Sequence, residues 1–308
     1  MRTQLRPWHL GAALIAVCLT VLGVLSYFRS RGTGTPTAMV ACLPRSGAVT
    51  VYLDIGALRQ SGLLDMLAGS KAAEDLEYQQ FVDGTGFDYR RDVESLAGAF
   101  SGRDAYLAVR GKFDWKKVDA YATARGGTCR NTVCRVPVAE GRFVSFYPMR
   151  PDVMAIAFSK SNSAALDIAP RQAIDSTEQP DQPIWISVSG TALRGVSDLP
   201  SGAKSFVSPL ESAEQIILSA GAEHGDKLQL NLNVQCASES AAGDLLVRLE
   251  GATNMLRKML DREKVQPSRT DLSGMLTAGT FRREQRRVYG TWPLYREFVA
   301  SLASGTVR

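Results

Sequence analysis

The sequence predicts an α+β protein: an N-terminal transmembrane helix followed by two similar halves, each an antiparallel sheet with helices packed on one face. Three observations carry that expectation. An uncharged apolar run fills residues 10–28. Strand-type and helix-type periodicities alternate along the rest of the chain. Elements of the first half return in the same order in the second.

Leu10 to Phe28 reads LGAALIAVCLTVLGVLSYF, nineteen residues without a charge. A helix rising about 1.5 Å per residue over that length approaches the ~30 Å hydrocarbon core of a bilayer. Secretory signal cores are shorter and close on a small-residue cleavage site. This run ends instead in Ser26-Tyr27-Phe28-Arg29. An uncleaved signal-anchor is therefore expected, with a cleaved or lipidated form as the alternative. The lipobox-like Met39-Val40-Ala41-Cys42 lies well past the run, across two arginines and Pro36. Arg2 and Arg6 precede the run and Arg29 and Arg31 follow it, so the positive-inside rule is nearly balanced. The expected layout has residues 1–9 as a short cytoplasmic tail, 10–28 in the membrane, and the body outside the cytoplasm, periplasmic in a cell envelope. Residues 29–41 (RSRGTGTPTAMVA) read as a flexible linker from their Gly, Thr and Pro content.

The charge balance excludes one class of function. The chain carries 36 Lys+Arg against 31 Asp+Glu, a net of +5. Four of those bases fall in the first 31 residues, which hold no acid, so the remaining 32 nearly balance the 31 acids. A nucleic-acid surface requires a concentrated basic excess, and none is expected. Cysteine usage agrees with export. Cys18 lies in the apolar run, leaving Cys42, Cys129, Cys134 and Cys236. Cys129 and Cys134 flank Arg130-Asn131-Thr132-Val133, a hairpin turn by composition. Facing hairpin positions come close enough for a disulfide, which an oxidising compartment would preserve. Cys42 and Cys236 form the remaining pair; free buried thiols are the alternative. A lone C-x₄-C without a nearby His makes no metal site.

The two halves are assigned to 42–178 and 179–308, joined through the proline- and acid-bearing stretch Ala165 to Gln182. Val51-Tyr52-Leu53-Asp54-Ile55-Gly56-Ala57-Leu58-Arg59 echoes Ile186-Ser187-Val188-Ser189-Gly190-Thr191-Ala192-Leu193-Arg194, each a strand running into a helix start. Val93-Glu94-Ser95-Leu96 echoes Leu210-Glu211-Ser212-Ala213. After each echo come a strand, a turn with Gly and Asp, a second strand (Ala105 to Val109; Leu228 to Val234) and a helix (Trp115 to Ala124; Ala241 to Lys264). Duplication explains four ordered matches; ordinary β-α-β-β-α recurrence is the alternative. Lys227 to Cys236 alternates Leu and Val with Gln and Asn, a strand with one buried and one wet face. Phe143 to Tyr147 and Val153 to Phe158 read as a hairpin around Pro148 and Pro151. In the long helix Ala242, Leu245, Leu249, Ala252, Leu256 and Met259 recur at three and four residues. That stripe is expected to pack on the sheet, with a partner helix as the alternative.

No catalytic signature emerges. His9 and His224 are the only histidines, too few for a multi-histidine metal site, and a Ser-His-Asp triad would depend on His224 in an exposed turn. No phosphate loop or dinucleotide fingerprint occurs, and no cofactor is implied. Phe81-Val82-Asp83-Gly84-Thr85-Gly86 is a glycine-interrupted version of an aspartic-protease loop without a second copy. Ser201-Gly202-Ala203-Lys204 has S-x-x-K spacing but sits in a Pro/Gly loop without a following K-T-G. Glu74, Asp75 and Glu77 form an acidic cluster that reads as a solvated helix face. Arg282-Arg283-Glu284-Gln285-Arg286-Arg287 suits an edge strand protected by charge, with anionic lipid headgroups as the other reading.

Leu43-Pro44, a Val/Tyr-rich strand ending in Asp54, then Ala57-Leu58-Arg59 and Ser61-Gly62-Leu63-Leu64 resemble uncharacterised membrane-anchored bacterial envelope proteins of a domain-of-unknown-function class. The resemblance spans most of the exported part through short apolar motifs. It implies an extracytoplasmic location and a duplicated α+β body, and supplies no catalytic residues. The functional expectation is a non-enzymatic binding or scaffolding protein of the cell envelope, meeting either an envelope protein or a small ligand between its halves. An envelope hydrolase using carboxylates or a Ser/Lys pair is the alternative.

Overall fold

The computed structural model describes residues 36–44, 49–68, 76–171, 179–193, 206–222 and 228–304. The apolar run 10–28, with His9 and Cys18, lies outside them. Among the described residues no helix is long and apolar enough to cross a membrane.

The first described element corrects the expected linker. Pro36–Ala41 forms a helix, α1, with Met39 buried inside it and Cys42 and Leu43 buried just after. The apolar cluster Met39 to Leu43 gains more from burial than the Gly/Thr/Pro composition upstream gains from solvation. Strand β1 (Val49–Leu53) then runs into α2 (Ile55–Gln60), whose N-cap Asp54 accepts from Ala57 N at 2.8 Å. Helices α3 (Leu63–Ala68), α4 (Leu76–Thr85) and α5 (Tyr89–Asp92) lead to the hairpin β2 (Val93–Ser101) and β3 (Asp104–Gly111). Helix α6 (Trp115–Ala124) starts at the N-cap Asp114. The meander β4 (Thr128–Arg130), β5 (Val133–Val138), β6 (Arg142–Arg150) and β7 (Val153–Ser159) closes the first half. Asn131 and Thr132 both take positive φ, the backbone a tight β4–β5 turn demands.

The second half has fewer strands. It contains β8 (Ile184–Val188), the single-turn α7 (Gly190–Leu193), β9 (Gln215–Ala222) and β10 (Leu228–Gln235). The long α8 (Glu239–Glu263) follows, then α9 (Leu272–Thr277), the hairpin β11 (Thr280–Glu284) and β12 (Arg287–Leu294), and α10 (Arg296–Ser304). Ser238 caps α8 by accepting from Ala241 N, and Lys264 ends it in the left-handed region at φ 55°.

All described strands join one antiparallel sheet of twelve, in the order β11-β12-β10-β9-β8-β1-β2-β3-β7-β6-β5-β4. A separate sheet for each half was expected; the structure has a single one. The joint is the β1–β8 ladder, from Thr50↔Ser187 to Leu53↔Ile184. Each of these strands would be the edge of its own meander, and pairing them removes two exposed edges at once. The remaining edges are β4, three residues long, and β11, whose Arg282 and Arg283 point to opposite faces.

The two sheet faces differ. One is floored by Ala97, Ala99, Ala108, Ala155 and Ala157, all fully buried. Such small side chains let α1 and the 3-10 turn Ala164–Asp167 settle close to the strands. At the joint of the halves Tyr52 and Trp185 stack on this face, 5.7 Å between rings. The other face carries most of the helices. Helices α2, α3 and α10 cover Leu53, Leu96 and Ile184, α6 covers Cys134, Phe146 and Met154, and α8 and α9 cover Val234, Val288 and Trp292. Within α8, Ala242, Leu245 and Leu249 are buried and Ala252 and Leu256 partly so, as the apolar stripe requires. Met259 departs from it. A helix of 25 residues is about 37 Å long, outruns the strands beneath it, and leaves Met259 exposed.

Candidate interaction surface

Among the described residues, those that carried chemical expectations do not assemble into a reactive site. His224, Ser201, Lys204, Glu74 and Asp75 lie outside the described residues. Glu77 is exposed in the first turn of α4. Asp83-Gly84-Thr85-Gly86 is a helix stop: the Thr85 hydroxyl donates to Phe81 O at 2.6 Å and accepts from Phe87 N at 3.1 Å. Gly86 leaves the helix at φ +71°.

The cysteines divide. Cys129 and Cys134 face each other across the β4–β5 ladder and form a disulfide. The expected pairing of Cys42 with Cys236 is corrected: both are buried free thiols. Cys42 donates to Ala38 O beneath α1, whereas Cys236 ends β10 in the cluster under α8. They sit in separate cores, and burial pushes both thiols up. The Asp119 carboxylate lies with Cys129 and Cys134 sulfurs, all within 4.8 Å of one another. Both sulfurs are spent in the disulfide, so no three-ligand metal set exists there.

A cleft of about 530 Å³ opens where α4 and α5 meet the start of α6. Phe87 stacks on Phe113 at 5.1 Å, and Phe113 meets Trp115 at 5.1 Å. Arg91, Lys112, Lys116 and Lys117 rim it. Two of these cations already have acids: Arg91 holds Asp92 at 2.8 Å, and Lys117 stands 3.9 Å from Asp114. That hydrogen bond, with the Asp88 N–H donating to the same carboxylate, keeps the Asp92 carboxyl below the usual carboxylate range. The cleft has no paired carboxylates free for acid–base work and no nucleophile beside a base.

The most unusual surface lies at the joint of the halves, on the helix-bearing face. The described helices stop short of one end of the central strands. There Val49, Phe100, Ala105 and Phe158 stand side by side across β1, β2, β3 and β7. One row further in come Ile186, Val51, Gly98 and Leu107. Phe100 is 41% exposed, Ile186 38% and Phe158 37%. Three large apolar side chains left open on flat strands form a patch, unlike single exposed hydrophobics, which are ordinary. Gly98 gives the Phe100 ring room: a Cβ there would stand 3.1 Å from Phe100 Cε2. Arg142 props Phe158 from behind. Only 4% exposed, it lies 4.3 Å over the Phe158 ring and donates from Nη2 to Phe158 O at 3.2 Å, to Asp104 Oδ1 at 3.0 Å and to Arg103 O. The strip is held rigid by the ladder beneath it and by this buried cation.

Sequence reasoning missed this surface. Its signal is in β2, where Ala97-Gly98-Ala99-Phe100 shows no polar alternation. Both faces of that strand are apolar, but nothing local says that the helices fail to reach one end. The seam between the halves is a hydrogen-bonded ladder, and beside it a pocket of about 280 Å³ is lined by Tyr52, Asp54 and Ala57 of the first half and Gln179, Gln182 and Pro183 of the second.

No family model and no curated protein matches the chain. Two solved structures are similar at a distance. Crystal form IV of a protein named TP0453 aligns with a TM-score of 0.44 and 12% identity, covering 86% of this chain and 96% of the other. Crystal form III gives 0.44 and 13%, with 86% and 97% covered.

Proposed function

We infer that this chain is a non-enzymatic binding or scaffolding protein of the bacterial cell envelope. It is tethered through residues 10–28, with residues 1–9 in the cytoplasm and its body outside. The observation that carries this reading is the exposed apolar strip Phe100–Phe158–Ile186 on a rigid sheet. An open strip without enclosing walls suits a segment of a protein partner better than a small ligand, which favours concave pockets. The Cys129–Cys134 disulfide supports an oxidising compartment.

The body reads as a duplication. On one side of the joint the strand order is β1-β2-β3-β7-β6, and on the other it is β8-β9-β10-β12-β11. Val51 pairs with Ile186, its own counterpart in the sequence echo, and the pairs on either side, Thr50↔Ser187 and Tyr52↔Trp185, exchange under the same correspondence. One echo is out of step. Val93 to Leu96 opens β2, whereas Leu210 to Ser212 forms a 3-10 turn before β9. The ladders instead equate Leu96, opposite Leu53, with Ile216, opposite Val188.

The test is a photo-reactive amino acid placed at Phe100, Phe158 or, as a control, at Thr280 on the far edge, in the full chain in intact cells. One protein adduct shared by positions 100 and 158, absent at 280, and lost on Ile186→Ser supports the reading. Equal labelling at all three positions overturns it.

A further inference from the structure

We propose that α8 is a self-association element, pairing antiparallel with α8 of a second copy about a two-fold axis through Gly251. The outward face of this helix does not read as a solvated one. Val247 is 68% exposed, Met255 62% and Met259 48%, at i, i+8 and i+12 along one ridge of the helix. Leu249 and Leu245 point the other way and hold the helix on the sheet, so the outward residues are free of any core role. Between Val247 and Met255 lies Gly251, where a Cβ would meet no atom within 4 Å. The notch opens into a groove of about 450 Å³ lined by Asn254, Met255, Lys258 and Met259.

Charge selects the occupant. In the half before Gly251 the acids Glu239, Asp244 and Glu250 face a single base, Arg248. In the half after it Arg257, Lys258, Arg262 and Lys264 outnumber Asp261 and Glu263. A parallel copy would set like charges together. An antiparallel copy centred on Gly251 places Val247 against the partner's Met255, and Asp244 against the partner's Lys258. Both pairings occur twice, as a self-complementary interface requires. The missing side chain at Gly251 lets the two backbones approach closely at the crossing. A single helix crossing buries less than the ~1,000 Å² of a stable interface, so the association is reversible and concentration-dependent.

The test uses the full chain in mild detergent, in a Cys18→Ser background. Under mild oxidation Gly251→Cys is expected to give a disulfide-linked dimer. Val247→Cys and Met255→Cys are expected to cross-link with each other when two differently tagged chains are mixed, and neither with itself. Glu263→Cys, far from the axis, serves as the collision control. By sedimentation Asp244→Lys and Lys258→Asp are each expected to weaken dimerisation several-fold, and the double variant to restore it. Cross-linking at 251 no faster than at 263 overturns the proposal. So do a Val247→Cys homodimer, which signals parallel pairing, charge variants that do not compensate, and cross-linking of Gly251→Cys to a different protein in place of itself.

Discussion

Removing the Cys129–Cys134 bridge tests both a stability argument and a location. The bridge closes a short loop, with a sequence separation of 5. For so short a loop the chain-entropy relation gives about 2 kcal/mol. In a folded body of this size that corresponds to a fall in Tm of about 4 °C. The Cys129→Ser/Cys134→Ser variant should therefore unfold slightly earlier in a thermal or urea titration of the full chain. The loss should appear first at the β4–β5 end of the sheet, because β4 is an edge strand only three residues long. The same residues report the compartment. When thiols are trapped in intact cells and counted after denaturation, Cys42 and Cys236 should react and Cys129 and Cys134 should not. Labelling of Cys129 and Cys134 in cells would refute the extracytoplasmic placement. An unchanged unfolding curve would refute the loop-closure argument.

Three further outcomes follow from the packing. Leu249→Ala, at a fully buried position under α8, should cost about 3–5 kcal/mol in urea unfolding; Val247→Ala on the outward face should stay within about 0.5 kcal/mol. Arg142→Ala should cost about 2–3 kcal/mol, since it removes the hydrogen bonds tying Arg103 O, Asp104 and Phe158 O together; Arg142→Lys should recover only part, lacking the planar fork. Asp92→Asn should destabilise at neutral pH. The Arg91 guanidinium holds the folded Asp92 carboxyl below the ordinary carboxylate range, so its contribution is complete above that range and is lost as pH falls through the depressed value. The difference between Asp92→Asn and the parent should close in acid, as followed by thermal unfolding across pH 7 to 2.

Local features were legible in the sequence where one chemical rule acts on neighbouring residues. The alternation of Leu228, Leu230 and Leu232 with Gln229, Asn231 and Asn233 marked β10. Helix α6 runs over Trp115 to Ala124, the range expected from its place after the second strand. Asn131-Thr132 made the turn that sets Cys129 opposite Cys134. The arginines at 282 and 283 marked an edge. What escaped depends on partners far away in sequence. The β1–β8 ladder joins Val51 to Ile186, and nothing in either strand names the other. Met39 falls at the end of the expected linker because its partners, Ala97 and Ile168, come much later. Cys42 and Cys236 were paired by counting, whereas their burial in separate cores is a property of the whole fold. The exposed strip at Phe100 and Phe158 depends on where helices stop, which no strand pattern records.

The position of β1 has a mechanical consequence. It follows α1 as the first described strand, yet it is sixth in a row of twelve strands, bonded to β8 on one side and β2 on the other. A pull arriving from the amino end would load the middle of the sheet, and the ladders to β2 and β8 would resist by shearing along their length rather than by peeling one bond at a time. The edge strands, β4 and β11, are the farthest from that load. A body built this way can be pulled from its amino end while its outer margins stay slack.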